Sequence, residues 1–566
     1  SIMNLTWRGH FVQIIDTPGY TDFIADMICG VRAADAAVVL VDATAGIEVG
    51  TERAWEACEE AGLPRIVFIN KIDKENVKID DVIKEIQERF SKSACLIKMP
   101  LSSELKETIA ESDDALLERY LEGKEIKEDE YQHALKVAVD TGKMFPIIVG
   151  SAANGAGVKE LLDAIVDDLP SPLERPAVPA TDANTKERKE VTGSEDGPFR
   201  ALVFKSISDP FVGQMTVLRI FSGKLASNTG FTNVTTGAKE RIGQLMILQG
   251  KEQRSIASAS CGDIVAVAKL KDTHLGDSLC ADKDCVVFDP FVFPEPVYSS
   301  SIKPKTRQDE EKISEAVAKL CASDPTFKTS RDAQTKEMVI IGMGDQHVDV
   351  MVKRLKERYH VDVEIGTPKV PYKETIKKIA KAQGKHKKQS GGRGQYGDVW
   401  LELAPLDRGK DFEFVDKIVG GAIPRNFIPS VEKGVRSAMI GGVLTSFPMV
   451  DVRATAYDGS YHDVDSSDIA FQIAGILAFR KAAMEATPVL LEPIMEVEVT
   501  VPEDCMGTIP ADLNGRRGRV LGVEARGKNQ TIKALVPLAE MFRYGSDLRS
   551  MTGGRGSYTM HFVRYE

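Results

Sequence analysis

A chain of 566 residues is too long for one hydrophobic core and should divide into about three to five domains. Charged residues make up 28%, and no apolar run approaches the roughly 20 residues that span a bilayer, which argues against a helical membrane protein. The net charge of −11 opposes nonspecific coating of nucleic acid, so RNA contact would have to come from local basic patches.

The eight cysteines are scattered, and none forms Cys-x-x-Cys. Cys280 and Cys285 are the nearest pair, without matching His or Cys partners. This points to a reduced, cytoplasmic setting and away from a cysteine metal site.

The chain opens at Ser1, with a strand expected over Ile2–Trp7 that turns through Arg8-Gly9 into a second. The second, Phe11–Ile15, is an apolar β-branched run that stops at Asp16-Thr17-Pro18-Gly19. It should be a buried strand delivering Asp16 to a turn. In a nucleotide site Asp16 can hold Mg²⁺ through water. The Gly19 amide can face a γ-phosphate, because a residue without Cβ lets backbone come close. Alone the tetrapeptide is weak evidence, since such turns are common.

Thr21–Ala34 should be a helix, Ala36–Val41 a core strand, and Val49–Ala61 a helix stopped by Gly62 and Pro64. The buried run Ile66–Ile69 ends in Asn70-Lys71-Ile72-Asp73. Asp73 can accept two hydrogen bonds from the edge of guanine, a pattern adenine does not offer. Asn70 can tie this loop to its neighbours, and the stem of Lys71 can cover the ring. A third run, Phe145–Val149, ends in Gly150-Ser151-Ala152, whose amides are candidates for the guanine oxygen. Three loops in this order place ligand contacts at the carboxyl edge of a parallel sheet. The residues from about 75 to 144 are charged and helical, too many for a βα connection, and are expected to be an insertion.

No Gly-x-x-x-x-Gly-Lys-[Ser/Thr] occurs anywhere in the chain. Either the sequence begins inside the domain, the preferred reading, or the protein does without a phosphate loop.

After a helix over Val158–Leu169 and a polar linker from Glu174 to Gly197, the pattern changes to short strands with Gly turns up to Pro290. That is the pattern of a small β-barrel, with an open sandwich as the alternative. Pro296–Ile376 and Pro493–Glu566 each show strand, helix, strand, strand, helix, strand, the ferredoxin-like βαββαβ order. Pro510 should bend the first helix of the last domain or mark its first turn.

Between them, Thr375–Gly397 holds seven Lys or Arg, one His and no acid, and ends in the glycine-dense Ser390–Gly397 loop. Arg393 and the lysines can meet phosphates, while Gln395 and Tyr396 can stack on or hydrogen-bond to unpaired bases. A solvated basic loop is the plainer reading. A second turn-rich loop, Ala456–Asp465, carries His462, a residue type that in such loops is usually only solvated.

With Asp16-Thr-Pro-Gly19, Asn70-Lys-Ile-Asp73 and Gly391-Gly-Arg-Gly-Gln-Tyr-Gly397 in hand, the chain resembles the elongation factor G family of ribosomal translocases. Ile341-Gly-Met-Gly344, Tyr457–Ser467, Leu491–Met495 and Val536–Met541 carry the resemblance along nearly its whole length. It implies a multidomain α/β and α+β protein. Residues 1–173 would be a truncated P-loop-type GTPase domain, 174–293 a linker and β-barrel, 294–371 and 493–566 ferredoxin-like domains, and 372–492 an α+β fourth domain.

The resemblance further implies GTP/GDP and Mg²⁺ as ligands and the ribosome, both subunits, as partner. Arg393, Gln395 and His462 would then contact transfer and messenger RNA in the decoding region. A cytoplasmic monomer without membrane contact is expected.

Two departures suggest a divergent second-type paralogue, besides the missing phosphate loop. The stretch after Asp73 is shorter than in the family's main members. Tyr20 stands at the catalytic position where they carry the His that orients water, and a phenol does not become a cation near neutral pH. The leading expectation is a translocation GTPase. The alternative is a ribosome-binding recycling or protection factor with weak or absent hydrolysis.

Overall fold

The computed structural model describes residues 1–98, 100–209, 213–281, 284–388, 394–526 and 529–566. The chain forms two compact units. One comprises Ser1–Pro296, Pro304–Thr329 and Ile340–Glu364; the other comprises Val297–Lys303, Ser330–Val339 and Ile365–Glu566.

The first unit begins with a hairpin of β1 (Ile2–Trp7) and β2 (His10–Ile15), followed by α1 (Ile24–Ala33), β3 (Ala37–Asp42), α2 (Val49–Glu60) and β4 (Arg65–Asn70). Then come α3 (Ile79–Arg89), β5 (Ala94–Leu96), α4 (Ser103–Glu111), α5 (Asp114–Leu121), α6 (Glu128–Asp140), β6 (Phe145–Val149) and α7 (Val158–Asp167). A parallel sheet runs in the order β3-β4-β6-β5. Alternate residues of its strands enter opposite cores, as the two-residue period requires. Ile66, Phe68 and Ile148 meet Ile109, Tyr131 and Leu135 of α4 and α6. Val67, Ile69 and Ile147 meet Trp55 of α2 and Ile86 of α3.

Two expectations change here. The stretch after Asp73 is not wholly an insertion, because β5 pairs with β6 inside the sheet. Three residues are too few to show a strand period. Nor does β2 join the sheet: its pairing is antiparallel, with β1, through the turn Arg8-Gly9, both at positive φ. Far from buried, Phe11 is 52% exposed. One face of the hairpin covers the β-rich region, with Ile2 and Ile15 packed beside Met215, Val217 and Ile264. At its turn, Trp7 donates its indole N–H to Asp163 of α7 at 2.9 Å, and Arg8 pairs with Asp167 at 2.6 Å.

The β-rich region is an eight-stranded sheet. Phe231 and Leu245, from strands towards opposite ends of that order, share one core with the central Val203 and Leu218, so the sheet curls around it. The expected linker contains strands Val178–Asp182 and Arg188–Val191, which pair as a hairpin beside Val286–Phe288. Asp182 builds the turn by accepting from the amides of Asn184 and Thr185, both at 2.8 Å. Tyr298–Pro304, Arg307–Ser323, Lys328–Arg331, Met338–Gly342, Asp345–Tyr359 and Val363–Gly366 follow in βαββαβ order.

In the second unit, strands Ala380–Lys388, Gln395–Pro405, Val452–Ser460 and Phe412–Asp416 form a sheet in that spatial order. The basic segment is therefore mostly strand, and Ala456–Ser460 is strand as well. Helix Asp468–Glu485 lies directly on the first hairpin, because a Cβ on Gly384 would sit 2.1 Å from the Ala474 carbonyl. The last region pairs Arg519–Arg526, Asn529–Pro537, Pro493–Pro502 and Ser557–Tyr565, the ferredoxin-like order 2-3-1-4. Pro510 is the third residue of helix Thr508–Gly515, in its first turn. The second helix expected in this region is two, Leu538–Met541 and Tyr544–Thr552, split at Arg543 with φ 66°.

Candidate nucleotide site and candidate RNA interface

β4 is buried from Arg65 to Ile69 and delivers Asn70 to the carboxyl edge of the sheet. Lys71 turns the chain at φ 66°, a conformation uncommon for a residue with a side chain. Asn70 Oδ1 accepts from the amides of Lys71 and Ala152, both at 2.9 Å, and so ties the β4 loop to the β6 loop. Ile72 donates to the Gly150 carbonyl at 3.3 Å, a second tie. The Ser151 hydroxyl faces Asp73 without full hydrogen-bond geometry, yet holds that carboxyl below its usual range. Asp73 is thus an ionised double acceptor near neutral pH. The Ser151 amide already donates to Ala156 at 2.8 Å and the Ala152 amide to Asn70. A base oxygen would therefore compete with Asn70 for the Ala152 N–H.

The sequence reading missed Asp42 at the end of β3. It pairs with Lys71, and the Lys71 ammonium, then the Thr44 hydroxyl, holds the Asp42 carboxyl down at about 2. The signal was present, since Asp42 ends an apolar run as Asp16 does.

Asp16 and Gly19 reach the same edge by a different route. A Cβ on Gly50, in the first turn of α2, would lie 2.4 Å from the Gly19 carbonyl, and one on Gly30 2.8 Å from Thr17 Cγ2. The loop is therefore seated on α1 and on the start of α2, which follows β3. The Asp16 carboxyl is open to solvent. Among the described residues no three His, Cys, Asp or Glu are grouped to hold a metal. A nucleotide-borne Mg²⁺ needs only one or two carboxylates, with waters and phosphates supplying the rest, so the donor set fits that use of Asp16.

Tyr20 caps the following 3₁₀ turn and is 68% exposed. Beyond it, buried Asp22 accepts from the His347 amide at 3.2 Å. His347 Nδ1 accepts from Met343, so Nε2 carries the proton and donates to Asp324 at 3.1 Å. Burial opposes ionisation of Asp324, but hydrogen bonds from His347 and Thr326 prevail and keep it low.

In the second unit, the loop after Ser460 and the start of strand Gln395–Pro405 are joined. Gly394 donates to Asp465 Oδ1 at 2.9 Å and Tyr396 to the Asp465 carbonyl at 2.8 Å. Ser466 returns a bond to the Tyr396 carbonyl at 3.0 Å. His462 Nδ1 accepts from the amides of Val464 and Asp465, both at 3.3 Å. Nε2 therefore carries the proton and makes no hydrogen bond among the described residues, on a side chain that is 55% exposed. Gln395 is exposed, with Oε1 2.9 Å from His386 Nε2. Below them, buried Asp398 accepts from Gln383 and Ser460, and the Ser460 hydroxyl meets Tyr396 at 2.8 Å. Gln395 and His462 thus share one end of the sheet; Arg393 lies outside the described residues.

A parallel sheet bearing Asn-Lys-Ile-Asp and Ser-Ala loops, followed by a curled β-sheet and three α+β regions, defines a GTPase of the translation-factor class. Family models agree along the chain. The elongation factor Tu GTP binding domain matches residues 1–171 and elongation factor G domain 2 matches 198–282. Domain III matches 293–367, domain IV 368–487 and the C-terminus 489–566. A crystal structure from Thermus thermophilus is 37% identical, covers 100% of this chain and 88% of its own, and superimposes with a TM-score of 0.78. The chain belongs to the elongation factor G family. Its first domain is of the guanine-nucleotide-binding type. Among the described residues no helix is long and apolar enough to cross a membrane.

Proposed function

We propose that this protein is a ribosome-dependent GTPase that promotes movement of transfer and messenger RNA, working in the cytoplasm as a monomer. Asn70, Lys71, Asp73, Ser151 and Ala152 serve the base. Asp16 and Gly19 serve the phosphate side with Mg²⁺, which lends positive charge there when bound. The GTPase domain is taken as residues 1–173, the linker and barrel as 174–293, and the RNA-facing domain as 372–492.

The observation that carries the reading is the His462 ring. Two backbone amides fix its tautomer and leave a protonated Nε2 on a half-exposed side chain, at the same end of the sheet as exposed Gln395 and the basic hairpin. Such a group donates to RNA phosphate or sugar oxygens without carrying a full charge. A tip of this kind works by position more than by affinity, since each RNA contact contributes about 1 kcal/mol. His462→Ala should slow RNA movement several-fold in a rapid-mixing assay and leave ribosome-stimulated phosphate release nearly intact. Equal loss of both would mean that His462 supports docking or the fold instead.

A second reading is favoured by Tyr20. A factor without the imidazole would bind ribosomes while turning GTP over weakly, and would act in recycling or protection. Phosphate release with and without ribosomes separates the two readings.

A further inference from the structure

Where the GTPase region meets the β-rich region lies a cluster with no part in either site above. Arg219, on strand Gly213–Ser222, is 4% exposed, and Arg175, just after the Pro172 turn, has a side chain 12% exposed. Both guanidiniums share a single carboxylate, Asp35. Arg219 Nη2 bonds to it at 2.5 Å, but Arg175 Nη1 stays at 3.6 Å, beyond hydrogen-bond reach. Arg219 Nη1 is used by the Gly262 carbonyl. Two N–H groups remain, Arg175 Nη1 and Arg219 Nε, both buried and without an acceptor among the described residues.

Among the other described neighbours, the carboxylate felt at Cys261 besides Asp35 is Glu195, which is half exposed and already faces Lys224 at 3.8 Å. Phe221 offers ring faces, with the guanidinium carbons 5.0 and 5.8 Å from its centre. The Cys261 thiol donates to the Phe221 carbonyl at 3.1 Å and burial pushes its pKa up, so it stays neutral. Arg32, whose guanidinium donates to the Asp289 carbonyl at 3.0 Å, adds positive charge nearby. A cavity in which the centre of a water-sized sphere has about 10 Å³ to occupy, and so wide enough for an ion somewhat larger than water, lies among Asp35, Pro172, Arg175, Arg219, Phe221 and Cys261.

Two buried cations on one anion leave one positive charge uncompensated, and buried charge is normally paired. Water would satisfy the two N–H groups but not the charge. We propose that this cavity binds a small monovalent anion of the halide class, held by Arg175 Nη1 and Arg219 Nε. Tetrahedral oxyanions such as phosphate and sulfate are too large for the space. The bound halide would join the Pro172–Arg175 segment to the β-rich strand and fasten the two regions to each other.

The direct test is a crystal of the full chain grown with bromide in place of chloride. An anomalous peak within hydrogen-bond distance of both arginines is expected; no peak there, or an ordinary water only, overturns the proposal. In solution, chloride at constant ionic strength, exchanged against gluconate, should raise the melting temperature saturably by about 2 °C. Arg175→Leu should abolish that rise. A rise that persists in folded Arg175→Leu also overturns the proposal, and if that variant does not fold, the bromide crystal decides.

Discussion

The base-side loops and the Asp16–Tyr20 loop meet the same edge of the first domain, but they are built differently. Asn70 leaves a strand buried on both faces, and its side chain locks two loops together. Asp16 leaves a half-exposed hairpin strand that pairs outside the parallel sheet, and its loop is positioned by contact with Gly30 and Gly50. The first is rigid because the core makes it so. The second depends on neighbours from separate segments: α2, the hairpin, and the Asp22–His347 contact.

The largest expected effect tests the rigid half. Asp73→Asn replaces a double acceptor by one donor and one acceptor, so affinity for guanine nucleotides should fall at least about a hundredfold. Xanthine nucleotides, which present the complementary pattern, should bind better than guanine ones. Competition binding with both bases reads this out. The pH dependence has a definite sign. Ser151 holds the Asp73 carboxyl below its usual range, so base selectivity persists down through ordinary carboxylate pKa values and fades only below them. Unchanged selectivity in Asp73→Asn would remove this loop from base recognition.

A smaller effect tests what steadies the hairpin. The helix α7 holds the β1–β2 turn through Asp163 and Asp167, and the next residue, Asp168, is buried with its pKa raised to about 7, first by burial and then by the Asp167 charge. A folded-state value above the unfolded one means the folded chain holds the extra proton in between. Asp168 therefore favours folding below the unfolded carboxylate value, and that contribution is lost as pH rises to about 7. Asp168→Asn should stabilise the first unit by about 2 kcal/mol above neutral pH and flatten its pH slope. Denaturant melts at pH 5 and pH 8 would show it; an unchanged slope would mean the carboxylate is solvated.

The same contrast decides what the sequence made legible. Asn70 and Asp73 end a long apolar run, and such runs are core strands whichever neighbours they find, so their placement follows from pattern alone. β2 has a similar run, but whether it pairs with the sheet or lies on the β-rich region depends on residues such as Ile264, 251 positions along the chain from Gln13. Local pattern carries no such information. Nor could it reveal Asp398 beneath the tip or the His347–Asp324 pair, since a buried polar network is defined by contacts between distant segments. β5 and the Val178–Asp182 hairpin were hidden by shortness, and the split at Arg543 by a left-handed residue where a helical pattern continues.

The smallest effect lies on the Asp16–Tyr20 loop. Tyr20 is exposed at the start of the 3₁₀ turn that leads to buried Asp22, so its ring stands in solvent while Asp22 after it is held by the His347 amide. Water attacking a phosphoryl group must be positioned, and an imidazole does this with one nitrogen accepting and the other held. A phenol has a single oxygen at the end of a longer ring, and it must both accept from the water and orient it. Tyr20→His should therefore raise ribosome-stimulated phosphate release several-fold, without changing guanine affinity, because Asn70 and Asp73 are positioned by the sheet and not by this loop. If turnover stays level or falls, the phenol is a working substitute and the loop around it has adapted to its length. If guanine affinity changes as well, the two halves are coupled more tightly than their separate supports imply.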